Sequence, residues 1–528
     1  MTHIKNLDSI VGAVEAEIGM DFIIVSTTSK SLETFWQERL EKGRGQVSKK
    51  DAKVLVVHED WKGGAGNGLG TLYAIAKAAL KSKKNYDVDL LKELRNGAAI
   101  GLYHTAGKGT RLAPLPASES NNKPAVKLPG TITINDESVP ITILEAVIRQ
   151  TAIYAPSRTA RVSVFWGDQV FIPSVDAEYK SKHHIDIMAK LGAMPSAEEW
   201  ESKGLHRYGL IAVSENGDAA QVEKVSWQTA QSLIEDKVIQ VTGGIGISLG
   251  SFSISHAMTT ALMAEFAPEL AQKSSALDSD PHFWMPLTLD ETTYTEMMRQ
   301  KGVEQDQAKQ DYQRMQHFLT KFNLANDDTP IFGCVDVGKD CYWWDYGTIS
   351  DYIRNNLRML GDDEEAQAMR RFYGVTERSM GSCLGIDVDV DETSILLNCD
   401  IKGGEISNSI LIGVVADRID VDGSILINVA TLDACGEDAL LYNVAEPLSL
   451  HLEEGAIRAD AFVPGVGHLP MWTDNRRDGK DDWDTCLGSN GMSYADLHRA
   501  NQSANADEVL KMVQKEFDSI KSMVAVRL

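Results

Sequence analysis

LYHTAGKGTRLAPLPASESNNKPAVKLPG, residues Leu102 to Gly130, is the most informative stretch of this 528-residue chain. The apolar run from Ala98 to His104 predicts a strand, which breaks into Gly107, Lys108, Gly109, Thr110 and Arg111. Glycine tolerates positive φ and has no Cβ to hold a ligand off, so successive N–H groups there form an anion-binding nest. Between residues 101 and 130 four basic residues (Lys108, Arg111, Lys123, Lys127) meet one acid, Glu119, in a chain of formal net charge −24. That local reversal of charge points to a polyphosphate ligand. A bare Gly-x-Gly is as readily an ordinary turn after a strand. The string also lacks the last Ser/Thr and the spacing of a P-loop, and no dinucleotide-type acid follows it.

On the N-terminal side, DFIIVST (Asp21 to Thr27) and KVLVVHE (Lys53 to Glu59) read as buried strands around a helix, SLETFWQERLEKG. This β-α-β unit begins a parallel sheet before the signature loop arrives. The second strand runs into five glycines within eight residues (63, 64, 66, 68 and 70) and an Ala-rich helix. A flexible loop explains such a run by itself. On the C-terminal side, residues 141–155 have the spacing of a helix packed on a sheet, and ARVSVFWGDQVFIP is a strand ending in Gly167-Asp168. Carboxylates at the C-terminal ends of strands stand where open α/β sheets bind ligands, although an Asp there also serves as a turn or helix cap. Asn216-Gly217 marks a hairpin. Residues 256 to 326 read as mainly helical.

Residues 381–440 hold twelve acids and two bases, with short apolar groups such as Ile395-Leu396-Leu397, Ile410-Leu411-Ile412 and Ile425-Leu426-Ile427. Their near-hexapeptide spacing predicts a left-handed β-helix of a few coils. Two helices are expected at the C-terminus. Seventy-six acids against 52 bases argue against a nucleic-acid or anionic-membrane partner. Six scattered cysteines without a C-x-x-C pair suggest neither zinc nor a disulfide framework. With no signal pattern and no bilayer-length apolar run, the expectation is a soluble cytoplasmic protein.

The full string Gly-x-Gly-Thr-Arg-Leu-x-Pro, followed by Lys123-Pro124, resembles the signature of the sugar-1-phosphate nucleotidyltransferases, which make NDP-sugars. Leu69-Gly70-Thr71 with Ala74 is similar to the family's base-holding segment, which ordinarily follows the signature loop. Its early position here implies a circularly permuted order. The opening β-α-β and Gly-rich loop more loosely resemble the fucose-1-phosphate guanylyltransferase branch. The family's uridylyl enzymes often carry a Gln before Leu-Gly-Thr, which is absent, leaving Asn67 or His58 as alternatives to plain loop residues.

The resemblance implies an α/β fold: a Rossmann-like mixed sheet (GT-A-like) core, a short left-handed β-helix and terminal helices. The expected division is 1–95 (base-binding β-α-β), 96–370 (catalytic core), 371–470 (β-helix) and 471–528 (charged loop and helices). It implies NTP plus sugar 1-phosphate giving NDP-sugar and diphosphate, of the UDP-glucose or GDP-fucose/mannose type. Arg111 and Lys123 would be catalytic. Gly70, Thr71, Ala106, Gly107, Lys108, Gly109 and Thr110 would bind nucleotide, and Asp168 and Asp345 would hold Mg²⁺. Trp343 to Thr348 matches the family's Trp-x-Asp-x-Gly-Thr if Trp343 is the matching tryptophan. Gly209, Glu223, Lys224 and Gly246 would bind the sugar phosphate, although Gly244 replaces the family's Asn. A homo-oligomer joined through the β-helix is expected. The other readings are a non-catalytic NDP-sugar-binding subunit, or a bifunctional nucleotidyl/acyltransferase.

Overall fold

In the computed structural model, which describes residues 2–105, 107–202, 204–223, 225–235, 244–486, 491–502 and 504–526, the apolar runs become strands. They are Phe22–Thr27 (β1), Lys53–His58 (β2), Ala99–His104 (β3), Lys127–Ile134 (β4), Glu137–Thr142 (β5), Arg161–Trp166 (β6), Gln169–Ile172 (β7), Ile185–Gly192 (β8), Gly209–Val213 (β9), Ala219–Glu223 (β10), Gly244–Ser255 (β11), Phe332–Asp336 (β12) and Tyr342–Asp345 (β13). A nine-stranded sheet runs β10-β9-β11-β6-β3-β1-β2, with β8 pairing β11 and β12 pairing β8. Strands β2, β1, β3 and β6 are parallel, whereas β11 is antiparallel to β6, β8 and β9. In chain order these four parallel strands lie 2-1-3-4. That is a doubly wound order, whose ligand crevice opens at the switch point between β1 and β3.

Successive side chains of β1 and β2 point to opposite faces, and both faces are buried. Ile23, Val25, Val54 and Val56 pack with Trp36 and Leu40 on one side. Phe22, Ile24, Leu55 and Val57 pack with Leu69, Leu72 and Ile75 on the other. The helix joining β1 to β2, Lys30–Lys42, starts where Ser29 Oγ accepts the Leu32 N–H. The hairpin at Asn216-Gly217 forms as expected: Gly217 adopts φ +91° and β9 pairs antiparallel with β10.

Beyond helix Glu364–Tyr373 the chain stacks into a parallel β-solenoid, closed by an antiparallel strand, Gly467–Asp474. The sequence suggests near-hexapeptide spacing, but the register advances by fifteen: Ile395, Ile410, Ile425 and Leu440 lie side by side. The reason lies in the corners. Asn398, Gly413, Asn428 and Asn443 all hold positive φ, as do Asn408, Gly423 and Asp438, so the left-handed turns recur every fifteen residues. Within each apolar triple the first and third side chains (Ile410 and Ile412, for example) join the core of the α/β region, while the middle one (Leu411) fills the solenoid. The change of architecture near residue 370 is therefore no gap in packing.

Of the two expected C-terminal helices, Tyr494–Asn501 carries a Ser493/Asp496 capping box. The second, Ala506–Val526, lays Val509, Phe517 and Ile520 against Ala430, Ala445 and Phe462 of the solenoid. All six cysteines are free. Among the described residues no helix is long and apolar enough to cross a membrane.

Candidate functional site

Strands β3 and β6 are parallel neighbours, so the segments after their C-terminal ends face one another. After β3 the chain enters the glycine loop, with Gly107 at φ +137° and Gly109 at φ +65°. A Cβ on Gly109 would stand 3.0 Å from Pro116 Cγ and 3.3 Å from Lys123 Cβ, so the loop closes tightly on the second half of the signature. After β6 comes Gly167-Asp168. Between these segments lies a cavity of about 210 Å³ lined by His104, Gly107, Gly109, Thr110, Arg111, Lys123, Trp166, Asp168 and Gly347.

Antiparallel pairing of β7 with β13 sets Gln169 opposite Asp345 and so carries the second carboxylate to the first. The Tyr346 N–H donates to the Asp168 carbonyl, the Gly347 N–H donates to Asp345 Oδ1 at 2.7 Å, and Asn355 Nδ2 donates to the Asp345 carbonyl. A Cβ at Gly347 would lie 2.9 Å from Asp345 Oδ1 and 3.7 Å from Arg111 Nη2. Lys123 Nζ is 2.6 Å from Asp168 Oδ2. Arg111, Lys123, Asp168 and Asp345 thus converge.

Their charges are unevenly matched. Burial alone would raise the Asp168 carboxyl, but the charge and hydrogen bond of Lys123, with the Arg111 charge behind them, outweigh it and hold Asp168 below the usual range. Asp345 makes no ion pair among the described residues, and the Gly347 N–H and the more distant Lys123 charge lower it less than its surroundings raise it. Burial, followed by the negative charge of Asp168, pushes it up to about 6. Two hard oxygen donors, one destabilised by the other, suit a cation that keeps several waters and takes phosphate oxygens as further ligands, as Mg²⁺ does. Among the described residues no cluster of three His, Cys, Asp or Glu forms a fuller cage.

The other expected site residues are spread more widely. Thr110 and Arg111 open a short 3₁₀ turn, Thr110–Leu112, at the cavity rim. Lys108 is exposed and faces the C-terminal region: after burial, its charge is the next cause holding the His498 imidazole below its ordinary pKa. Ala106 and Lys224 lie outside the described residues. Gly70 and Thr71 are buried within helix Gly66–Tyr86. Thr71 Oγ1 donates to the Asn67 carbonyl and sits 2.8 Å from His104 Nε2, so its link to the cavity runs through His104. Gly209 and Glu223 are register partners in the β9–β10 hairpin. A Cβ on Gly246 would stand 2.6 Å from Leu191 Cδ2, so that glycine serves close packing of β11 on β8. Beside these strands a second cavity, about 580 Å³, is walled by Tyr208 and Trp343. Trp343 Nε1 donates to Gln169 Oε1, one residue from Asp168.

His58 and Asn67 both turn away. His58 Nδ1 is 2.5 Å from Glu33 Oε2, and Asn67 Oδ1 accepts the Ser279 N–H. Sequence reading missed His104, although it closes the very strand that feeds the loop, a position that deserves a ligand-facing reading in any open α/β sheet. Burial lowers its pKa to about 4, so it is neutral at pH 7. With the Thr71 proton given to Asn67, His104 Nε2–H is the donor to Thr71 and Nδ1 remains an acceptor.

No family model matches the sequence, and no curated protein matches it. Among solved structures the chain is similar to a protein of Bacillus anthracis described as a glucose-1-phosphate thymidylyltransferase, in complex with sucrose. The identity is 12%, over 66% of this chain and 99% of that one, with a TM-score of 0.19. A likeness of that size assigns neither substrate nor mechanism.

Proposed function

We propose that the chain is a sugar-1-phosphate nucleotidyltransferase. The observation that supports it is the convergence of Arg111, Lys123, Asp168 and Asp345, from separate segments, beside a glycine loop at the C-terminal ends of β3 and β6. In the reaction an oxygen of the sugar phosphate attacks the α-phosphorus of an NTP in line. A new P–O bond forms and the bond to pyrophosphate breaks, so the protein needs positioning and charge neutralisation but no nucleophile of its own.

Arg111 and Lys123 take the charge that builds on the departing pyrophosphate. The glycine loop turns its N–H groups toward the phosphates. Asp168 and Asp345 would hold Mg²⁺, which would offset their mutual repulsion and supply Lewis-acid polarisation of phosphate oxygens. The acceptor sugar lies toward the cavity walled by Tyr208 and Trp343. On this reading the early Leu69-Gly70-Thr71 segment is the base-holding segment of a circularly permuted chain.

The reverse reaction tests the proposal without choosing a forward substrate pair. The protein is incubated with Mg²⁺, radiolabelled pyrophosphate and a panel of NDP-sugars. Label entering an NTP from one of them is the expected result. A folded protein that transfers none from any member of the panel would contradict it.

A further inference from the structure

We infer that Glu59 reads the nucleotide base and that the base is guanine, an inference that rests on the nucleotidyltransferase reading. Glu59 follows β2 at the C-terminal edge of the sheet, where its N–H donates to the carbonyl of Thr27 at the end of β1. One carboxylate oxygen is used: Oε1 accepts the Ala65 N–H at 2.9 Å. Among the described residues Oε2 accepts no hydrogen bond, and neither Lys nor Arg pairs with this carboxylate. Burial pushes the Glu59 carboxyl up, opposed only by the bond from Ala65. A half-buried carboxylate with an unused oxygen is costly unless donors arrive to meet it.

The surroundings give that oxygen a purpose. The point where a Gly70 Cβ would stand is 2.9 Å from Glu59 Oε2 and 3.9 Å from His104 Cε1, so Glu59 and the cavity wall are neighbours across Gly70. Gly63 and Gly64, at φ +85° and +86°, curl the loop around the carboxylate, and a Cβ on Gly63 would meet nothing within 4 Å. His58 and Asn67, the other polar side chains of this segment considered for the base, are held by Glu33 and Ser279.

An ionised carboxylate only accepts. On their pairing edges adenine and cytosine set a donor beside an acceptor, and uracil and thymine set one donor between two acceptors. Guanine alone presents two adjacent donors, N1–H and the 2-amino group, which a carboxylate meets with both oxygens. The remaining lone pair of Oε1 and the free Oε2 are the acceptors available.

Isothermal titration of the full chain with GTP, ITP, ATP, CTP and UTP, each with Mg²⁺, tests this. GTP should bind about tenfold or more tighter than the rest, since each hydrogen bond to a charged group contributes measurably. ITP, which lacks only the 2-amino group, should bind about tenfold more weakly than GTP. Glu59→Gln should erase the difference between GTP and ITP at an unchanged melting temperature. If that variant does not fold, the comparison of GTP with ITP on the unaltered protein still decides. Equal affinity for the two, or another NTP binding as tightly as GTP, would overturn the guanine assignment while leaving the nucleotidyltransferase reading intact. No binding of any NTP would overturn both.

Discussion

The solenoid and the crevice solve opposite problems. In the solenoid each rung repeats the one before: Ser409 N–H donates to Ser394 Oγ, Ser424 N–H to Ser409 Oγ and Ala439 N–H to Ser424 Oγ, all at 3.0–3.1 Å. Apolar side chains stack on their equivalents, and the buried serines are paired. In the crevice two carboxylates lie close enough for one to raise the other, and a buried imidazole is kept neutral. The contrast teaches that the repeating region stabilises the chain, whereas the crevice carries unfavourable electrostatics of the kind that marks functional sites.

Removing one apolar layer from the solenoid should have the largest effect. Leu426→Ala deletes a fully buried side chain from the solenoid interior and should cost about 2–5 kcal/mol in denaturant unfolding. Turnover per folded molecule should stay near normal; a parallel loss of turnover would break the contrast. Lys123→Ala should act first on the crevice, cutting pyrophosphate release by about 10²-fold or more; because it strips Asp168 of its ion pair, the unfolding midpoint should fall as well.

Asp345 sharpens the comparison further. Its folded pKa, about 6, lies above the ordinary Asp value, so between those two pH values the folded chain holds a proton that the unfolded chain has lost. Metal-free stability contributed by this group therefore falls as pH rises through that window. Asp345→Asn should stabilise the metal-free protein at pH 7–8 by about 1–3 kcal/mol in thermal melts while weakening Mg²⁺ binding. In the unaltered protein, Mg²⁺ affinity followed by calorimetry should fall as pH is lowered through about 6. The smallest effect is expected from Ser409→Ala, which removes one link of the ladder and should cost about 1 kcal/mol in the same unfolding assay.

Much of the crevice was legible because its residues lie in short strings whose local physics differs from the rest. The glycine loop with Arg111 and Lys123, Gly167-Asp168, and Trp343 to Thr348 each stand at the end of an apolar strand, and strand ends are where such sheets bind ligands. Glu59 and His104 stand at strand ends too, but neither belongs to a string with a recognisable pattern. Their roles depend on the approach of Gly70, which only tertiary packing reveals. In the solenoid the apolar triples were visible, but the period was not. Short apolar groups recur several times within one rung, and the fifteen-residue repeat is set by left-handed corners that use Asn, Asp and Gly interchangeably. The buried placement of Gly70 and Thr71 was hidden for a similar reason: a Leu-Gly-Thr string does not say which face of its helix meets the crevice.

The most direct test of the central claim is pyrophosphate release with Mg²⁺, crossing four NTPs against a panel of sugar 1-phosphates, with Asp168→Ala beside the unaltered protein. One active pair, abolished in the variant while its melting temperature is kept, is the predicted result. Activity that survives the loss of Asp168, or a folded protein silent across the whole panel, would contradict a catalytic centre built on Lys123, Asp168 and Asp345.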